Sequence, residues 1–287
     1  MRTMDLFLKR YHAVFILGIL LFLTACATRE EGCNDSFANN FSFGADKPCS
    51  GCCLYPGLRI RLSHKYNGTA MVYNQKIFSD GAGNKFGFGD LRFYLSNFQI
   101  VSVGNKVINV QEPLDVYVEK SAGDTAKISI ANSFALARGV NQADMNISSY
   151  RDTSSVTKLR FTIGVGGEMN QANPLRLPSD HPLRSSKYDG MYLGGQNGYV
   201  FSRFLYYAKD TVDVKISSPT NLRTIELTFT PQKIKRGYFL NVLMDVDYGV
   251  LFQGVNVNTD TPSQIGQKIV NNISQKAFTL TQISTSL

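Results

Sequence analysis

The chain has 287 residues, of which 43% are hydrophobic and 18% are charged, and its formal net charge at pH 7 is +8. These proportions are those of an ordinary globular protein, so they exclude a wholly disordered chain and a collagen-like repeat. The length fits one or two domains.

The N-terminal segment predicts export and lipid anchoring. Three basic residues precede an apolar run over residues 13–23, which has the length of a secretory signal core and is too short to span a bilayer. The sequence Leu23-Thr24-Ala25-Cys26 that follows resembles a bacterial lipobox, in which the chain is cut before the cysteine. We therefore expect residues 1–25 to be a lipoprotein signal peptide and Cys26 to carry the acyl chains that hold the protein on a membrane.

The residue after the cysteine bears on the destination. It is Ala27 rather than the aspartate that retains enteric lipoproteins in the inner membrane, so we expect the outer membrane, on its periplasmic or surface face. The membrane is then one partner, and a periplasmic or surface protein is a second expected partner. The densest basic group is Lys233, Lys235 and Arg236. In an exported protein it indicates a solvated face or an anionic membrane surface, and we expect no nucleic-acid partner.

Residues 26–57 have the composition of a tether and carry four cysteines: Cys33, Cys49, Cys52 and Cys53. Outside the cytoplasm these most simply form two disulfides. A bond between the adjacent Cys52 and Cys53 is strained, so Cys33 is expected to pair with one of them and Cys49 with the other. The alternative is a metal site, because Cys49 and Cys52 have the spacing of metal ligands and soft thiolates select Cu(I) or hold Zn(II).

From residue 58 onward, apolar and polar residues alternate, as in Leu58–Leu62 and Leu240–Tyr248. This alternation predicts strands with one buried face. Further strand-like runs cover residues 86–103, 114–119, 127–130, 158–165, 199–207, 212–216 and 225–229. One helix is predicted to begin after Thr261 and to end at Phe278. The sequence therefore predicts an all-β fold over residues 58–287, an antiparallel β-sandwich of roughly ten strands with one C-terminal helix. Glycines 87 and 89 interrupt one strand and indicate a bulge.

The longest break in the strand pattern is the loop of residues 166–198, which is rich in glycine and proline. A loop of this length in a compact domain is usually functional or disordered, although a simple lid over one end of the sandwich is the alternative. It contains His181, a candidate metal ligand, and Met191, a candidate soft ligand for Cu(I). The ordinary alternatives are a hydrogen-bonded histidine and a core methionine.

Four segments, in order along the chain, resemble motifs of one family. They are Phe86–Phe98, Leu159–Val165, His181-Pro182-Leu183 with Gly190-Met191-Tyr192, and Leu243–Asp247 followed by Leu251-Phe252. These are similar to the "lrYYlSN", "F-x-IGV-D", "HPL…GMyWxW" and "vDvd..lF" segments of the MbnP-like family, whose founding members are copper-binding, methanobactin-associated periplasmic proteins. The resemblance spans about 220 residues and implies a β-sandwich with a metal-site loop.

The chain departs from the resembled family at the metal site. In the copper-binding members, a tryptophan that is often oxidised to kynurenine joins histidine ligands around Cu(I). This chain has no tryptophan, and Tyr192 and Leu193 stand in the corresponding stretch. We therefore expect a non-enzymatic, lipid-anchored metal-handling protein of the copper type with a degenerate site. Its candidate ligands are Cys33, Cys49, Cys52, Cys53, His181 and Met191.

The alternative function is a surface module that binds a glycan or a protein through the loop of residues 166–198. Aromatic side chains anchor recognition surfaces, and this region supplies Tyr188, Tyr192, Tyr199 and Phe201. The two alternatives differ in whether a metal or a polar surface ligand is the partner.

Catalytic motifs are missing from the sequence. There is no Gly-x-Ser-x-Gly elbow, no His-Glu-x-x-His and no phosphate-binding glycine loop. Asp245 and Asp247 share one strand face and are candidates for a hard cation or for proton transfer, with a solvated strand face as the ordinary alternative. His64 is in phase with Leu58 and is expected to be a partly buried, hydrogen-bonded histidine. We expect no enzymatic activity and no cofactor other than copper.

Overall fold

The computed structural model describes residues 29–121, 123–140, 144–187 and 189–287, with the side chain of Gln275 excepted. The predicted signal peptide, the predicted acylation at Cys26, and Tyr188 lie outside the described residues. Within them, the strands are β1 (Glu31–Gly32), β2 (Lys47–Pro48), β3 (Gly57–Tyr66), β4 (Thr69–Ala70), β5 (Phe78–Ser79), β6 (Lys85–Ser102), β7 (Val107–Asn109), β8 (Glu112–Ser121), β9 (Asp124–Asn132), β10 (Phe134–Arg138), β11 (Met145–Ser149), β12 (Ser155–Ile163), β13 (Tyr192–Gly194), β14 (Gly198–Tyr199), β15 (Ser202–Tyr207), β16 (Thr211–Ile216), β17 (Arg223–Lys233), β18 (Phe239–Asp247) and β19 (Phe278–Ser286). The α-helices are α1 (Tyr248–Leu251) and α2 (Pro262–Asn272).

Two sheets form a sandwich, as predicted. The larger sheet has the order β16-β15-β6-β12-β17, and β5, β7 and β10 also pair with β6; the smaller sheet has the order β11-β3-β18-β19, and β4 pairs with β3. Their inner faces share one hydrophobic core. Phe278 of the smaller sheet contacts Phe93 and Phe161 of the larger one, with ring centroids 6.3 and 5.6 Å apart. The all-β fold class is therefore confirmed.

The alternation in the sequence decides which side chains enter this core. In β3, Leu58, Ile60 and Leu62 are buried, while the arginines between them face outward. Among the described strands of the two sandwich sheets, one pair departs from the antiparallel pattern, because β18 runs parallel to β3. A parallel pair requires a long crossover, and here most of the domain lies between the two strands.

Helix α2 begins where the sequence indicates but ends earlier. Thr261 caps it with a full capping box to Gln264, and Ile265, Ile269 and Val270 are buried. The expectation that the helix continues to Phe278 is wrong, because Phe278 begins β19, which pairs with β18. A register shift opposite Leu243 and Met244 interrupts the apolar alternation of β19, which hides this strand in the sequence.

The predicted bulge within β6 is confirmed at Gly89. Asp90 lies opposite Leu205 and Phe88 lies opposite Tyr206, so Gly89 is the extra residue. A Cβ atom on Gly89 would lie 2.5 Å from the Tyr207 hydroxyl oxygen. Glycine is therefore required at this bulge by the close approach of a neighbouring side chain.

A third layer covers the outer face of the larger sheet. The hairpin of β8 and β9 and the loop of residues 166–198 form a second hydrophobic cluster there. Its buried members are Tyr94, Val116, Val118, Phe134, Val165, Met169, Ala172, Leu177, Leu183, Met191, Tyr199, Val200 and Phe201. The loop contains four single 3₁₀ turns and the short pair β13–β14. It is thus a layer packed on a sheet face, which differs from the alternative of a simple lid over one end of the sandwich.

Residues 29–35 and 40–53 form a small unit of their own. Within it β1 and β2 pair in parallel, and two disulfides join Cys33 to Cys53 and Cys49 to Cys52. This pairing is one of the two that the sequence left open. The cross-links restrict the unfolded chain and so stabilise a unit that has very little core. In the described part of the chain, no helix has the length and apolar character needed to cross a membrane.

Candidate metal centre

The cysteines of the N-terminal unit form a compact group of sulfur atoms. The Sγ atoms of Cys49, Cys52 and Cys53 all lie within 4.8 Å of one another. Among the described residues, no other group of three or more His, Cys, Asp or Glu side chains is close enough to share a metal ion. Cys33 is 1% exposed, whereas Cys52 is exposed and Cys49 and Cys53 are half-buried. Three of the four cysteines are therefore at least partly exposed to solvent.

The local chain geometry explains why these sulfurs meet. Gly51 has a φ of +73°, a left-handed conformation that lets the chain turn sharply between Cys49 and Cys52. The Cys49 N–H donates to the Gly32 carbonyl at 3.0 Å, and the Asn40 amide donates to the Cys52 carbonyl at 2.8 Å. The backbone on both sides of the turn is thus held. In the disulfide form the sulfurs bond to one another, and reduction frees thiolates that are already adjacent.

His181 is buried and both of its ring nitrogens are engaged. Nδ1 accepts a hydrogen bond from the Leu183 N–H at 3.2 Å, which places the ring proton on Nε2, and Nε2 donates to Asn132 Oδ1 at 3.1 Å. Burial lowers the pKa of His181 to about 4, and nearby Asp180 opposes this change. The ring is therefore neutral at pH 7, but neither nitrogen has a free lone pair. Metal binding by His181 stays a prediction that requires one of these hydrogen bonds to break.

Met191 is fully buried in the second hydrophobic cluster. Its N–H donates to the Ser186 carbonyl, and its carbonyl accepts from the Val200 N–H at 2.9 Å. These contacts give its thioether the surroundings of a core side chain. Its role as a copper ligand stays a prediction.

Asp189 fastens this loop to the sheet, and no motif in the sequence had indicated this role. Its carboxylate lies 2.9 Å from Arg92 Nη1 and 3.0 Å from Arg138 Nη2. Its carbonyl accepts from Arg203 at 3.2 Å. The carboxylate is mostly buried, with 16% of its side chain exposed. Three arginines on three strands therefore hold the turn that precedes Met191.

These arginines belong to a row of like charges that the strand register creates. Arg138 lies opposite Arg92, Arg92 opposite Arg203, and Arg203 opposite Lys215, across β10, β6, β15 and β16. Like charges directly opposite one another destabilise a sheet. Asp90 and Asp213 compensate from the same sheet, and Asp189 compensates from the loop. The attached loop thus supplies part of the negative charge that offsets the repulsion within this row.

His64 confirms the interpretation of a satisfied histidine. It is 3% exposed, its Nδ1 lies 2.7 Å from the Tyr248 hydroxyl, and its ring also makes a hydrogen bond to the backbone of Arg138. Burial lowers its pKa to about 4. It therefore acts as a neutral structural bridge inside the core.

Asp245 and Asp247 also have ordinary partners. Asp245 forms an ion pair with Lys65 at 2.5 Å. Asp247 accepts from the backbone N–H groups of Asn67, Gly68 and Gly249, each at 2.8 Å. Asp247 thus caps α1 and stabilises the turn after β3. Both carboxylates therefore have structural roles.

A cavity of about 490 Å³ opens between β9, the larger sheet and the start of the loop. Asn97, Gln111 and Glu168 supply polar groups at its wall, and Phe134 and Met169 supply apolar ones. Asn97 has a φ of +53° and is the extra residue of a second bulge in β6. Bulges re-aim side chains, and this one adds Asn97 to the wall of the cavity.

Comparisons with known proteins identify the family of this chain. A family model described as MbnP matches residues 55–271, which is well over half of the chain. Among solved structures, MbnP from Methylosinus trichosporium is similar with 13% sequence identity and a TM-score of 0.44; the match covers 71% of this chain and 80% of that one. No curated protein sequence matches the chain significantly.

Proposed function

Because this chain belongs to the MbnP family, we propose that it is a lipid-anchored, extracytoplasmic protein that binds copper and catalyses no reaction. The family is associated with methanobactin copper handling and is generally non-catalytic. The proposal adds an outer-membrane anchor at Cys26 and a copper site that differs from the tryptophan-based one.

The observation that carries the copper site is the group of three sulfurs within 4.8 Å of one another. Two or three thiolates at such separations match the preference of Cu(I) for soft sulfur ligands. Thiolates bind the metal and disulfides do not, so the competent form is the one in which Cys49–Cys52 and Cys33–Cys53 have been reduced. Each reduction takes two electrons and two protons from an external dithiol.

The loop of residues 166–198 is less suited to the metal. The chain has no tryptophan, and both nitrogens of His181 are already hydrogen-bonded. Met191 is enclosed by apolar side chains. We therefore place the copper on Cys49, Cys52 and Cys53 and regard His181 and Met191 as structural.

The direct test is an anaerobic Cu(I) titration of the mature chain against a chromogenic Cu(I) chelator, with and without prior reduction by a dithiol. We expect about one Cu(I) per reduced chain and none on the oxidised chain. The variant C49S/C52S/C53S should lose binding, while the matched control H181A/M191A should retain it. Equal binding by the cysteine variant, or loss in the control, would contradict the proposed ligands.

The anchor has a separate test. Metabolic labelling with a palmitate analogue should mark the protein, and Cys26→Ser should remove the label. The labelled protein should sediment with outer-membrane markers in a density gradient. An unlabelled wild-type protein would refute the anchor and leave the copper titration unaffected.

The cavity beside the loop favours a second function, a module that binds a glycan or a protein. Its volume of about 490 Å³ falls within the range of small-ligand sites, and amide groups suit hydroxyl-rich ligands. A glycan array should then show binding that N97A/Q111A abolishes and that the cysteine variant retains. No binding on the array would remove the glycan ligand from this alternative.

A further inference from the structure

The basic group at residues 233–236 lies at one end of the sandwich, together with the point at which the N-terminal segment joins it. Lys233 is opposite Ser155 in the sheet register, and the Ser155 carbonyl accepts from the Val103 N–H at 2.9 Å. At the same end, the Tyr150 N–H donates to the Pro56 carbonyl. The turn after β17, the turn after β6 and the start of β3 therefore share one end.

The charges at this end are nearly all positive. Lys233, Lys235 and Arg236 are exposed, and no carboxylate in the described part of the chain lies within ion-pair distance of any of the three. Lys106 lies in the neighbouring turn and is paired with Asp152 at 2.7 Å. Glu112 lies near the start of β3, beside Gly57 and Leu58. Three cations are thus left without neutralisation by the protein.

Apolar side chains stand beside these cations. Val103, which is hydrogen-bonded to the residue opposite Lys233, is 57% exposed, and Val107, which follows the same turn, is 44% exposed; Leu54, which precedes β3, is 63% exposed. Cations next to exposed aliphatic groups suit a lipid interface, where headgroups meet the charges and the outer part of the acyl region meets the aliphatic groups. A soluble acidic protein would satisfy the charges but would not by itself account for the aliphatic groups.

We infer that this end, defined by Val103, Lys233, Lys235 and Arg236, docks on anionic phospholipid headgroups and holds the sandwich against the membrane. The inference rests on the proposed lipid anchor, because the chain enters the sandwich at this end from the acylated side. A lipid anchor and a basic patch together give two signals for membrane attachment, and the patch adds orientation to the attachment.

The test uses the full chain, lipid-modified in a bacterial host, with Val103→Trp as its sole tryptophan. The protein is reconstituted on vesicles of brominated phosphatidylcholine, alone or with 30% phosphatidylglycerol. We expect at least twofold stronger quenching of the tryptophan on the anionic vesicles, and we expect 0.5 M NaCl to remove the difference because salt screens such contacts. The variant K233E/K235E/R236E should quench equally on both vesicles.

A matched control carries the same charge change elsewhere. Lys85, Lys209 and Lys276 are exposed, and K85E/K209E/K276E should keep the extra quenching on anionic vesicles. Equal quenching of the parent protein on both vesicles, or loss in the control as well, would overturn the inference. The parent protein could also quench equally on both vesicles and bind polyglutamate, with K233E/K235E/R236E abolishing the polyglutamate binding. That result would assign the patch to an acidic protein partner and would overturn the inference.

Failure of the anchor gives a different result. An unacylated protein would not float with neutral vesicles in a density gradient. Its salt-dependent flotation with anionic vesicles, abolished in K233E/K235E/R236E, would still support the basic end. Its failure to float with either kind of vesicle would overturn the inference.

Discussion

At the scale of single residues, His64 and His181 make the protein sensitive to acid. Burial lowers the pKa of each to about 4, below the unfolded value of about 6.5. The unfolded state therefore binds more protons as the pH falls, so the stability present above pH 6.5 is lost between pH 6.5 and about 4. We expect a loss of about 2 kcal/mol per histidine at pH 5.

Urea unfolding at pH 7.5 and at pH 5 checks this prediction. H64Q/H181Q removes both titrating rings, so its free energy of unfolding should fall less than that of the parent over this interval. Equal losses in the parent and in the variant would show that other groups cause the acid sensitivity.

Two glycines provide a matched pair for the loop. Gly198 has a φ of +65°, and a Cβ atom there would lie 2.4 Å from the Asn170 carbonyl oxygen; Gly254 has a φ of +74° and open space around it. Alanine at either site meets backbone strain, but only at Gly198 does it also meet a clash. Gly198→Ala should cost about 2 kcal/mol more than Gly254→Ala in the free energy of unfolding. Similar losses in both variants would contradict the tight contact.

Local chemistry determined which residue predictions succeeded. The exclusion of a Cys52–Cys53 bond, the glycine bulge and the buried His64 follow from spacing and strand phase, which are visible in the sequence, whereas the choice between the two remaining cysteine pairings required the structure. The partners of His181, by contrast, are Asn132 on β9 and the nearby Leu183 N–H. The contact with Asn132 joins residues far apart in sequence, and it forms only when the hairpin packs beside the loop.

At the scale of elements, Asp189 is expected to control how firmly the loop of residues 166–198 is attached. Asp189→Asn removes the charge that pairs with Arg92 and Arg138 and leaves the row of like charges less compensated. Hydrogen exchange at the Met191 and Val200 amides should accelerate at least about tenfold, in line with the loss of a partly buried charged hydrogen bond.

Asp213→Asn is the control for this prediction. Asp213 pairs with Arg203 at 2.9 Å on the same sheet but lies on β16 and not in the loop. Its variant should leave the exchange of both amides within about twofold of the parent. Equal acceleration in both variants would show that the sheet, and not the loop attachment, had loosened.

Long strands and short ones differ in how well their sequences indicate them. The strands with one fully buried face, such as β3 and β18, show clear alternation and were predicted. Short or half-exposed strands, such as β7, β11 and β19, lack that pattern because the core does not impose it. The loop was predicted, but its packing on the sheet was not, because its buried residues lie on and between short 3₁₀ turns, which give no period to detect. The one feature of the sequence that reflects the attachment of the loop to the sheet is a single arginine in each of three apolar strands, namely Arg92, Arg138 and Arg203.

At the scale of the whole molecule, the hydrophobic core and the sulfur group lie in different units of the chain. The sandwich supplies two hydrophobic clusters and a family architecture, while the sulfur group lies in the N-terminal unit. Family membership thus identifies the scaffold, and the proposed copper ligands lie outside the matched segment, residues 55–271. The cysteines were visible in the sequence, but their proximity depended on the fold of that unit.

X-ray absorption at the copper edge tests the central claim most directly, because it reports the atoms bound to the metal. For the reduced mature chain loaded with one Cu(I), we predict a first shell of two or three sulfur atoms from Cys49, Cys52 and Cys53, with no imidazole scattering. A first shell of nitrogen or oxygen atoms, or a sulfur shell that persists in C49S/C52S/C53S, would contradict the account.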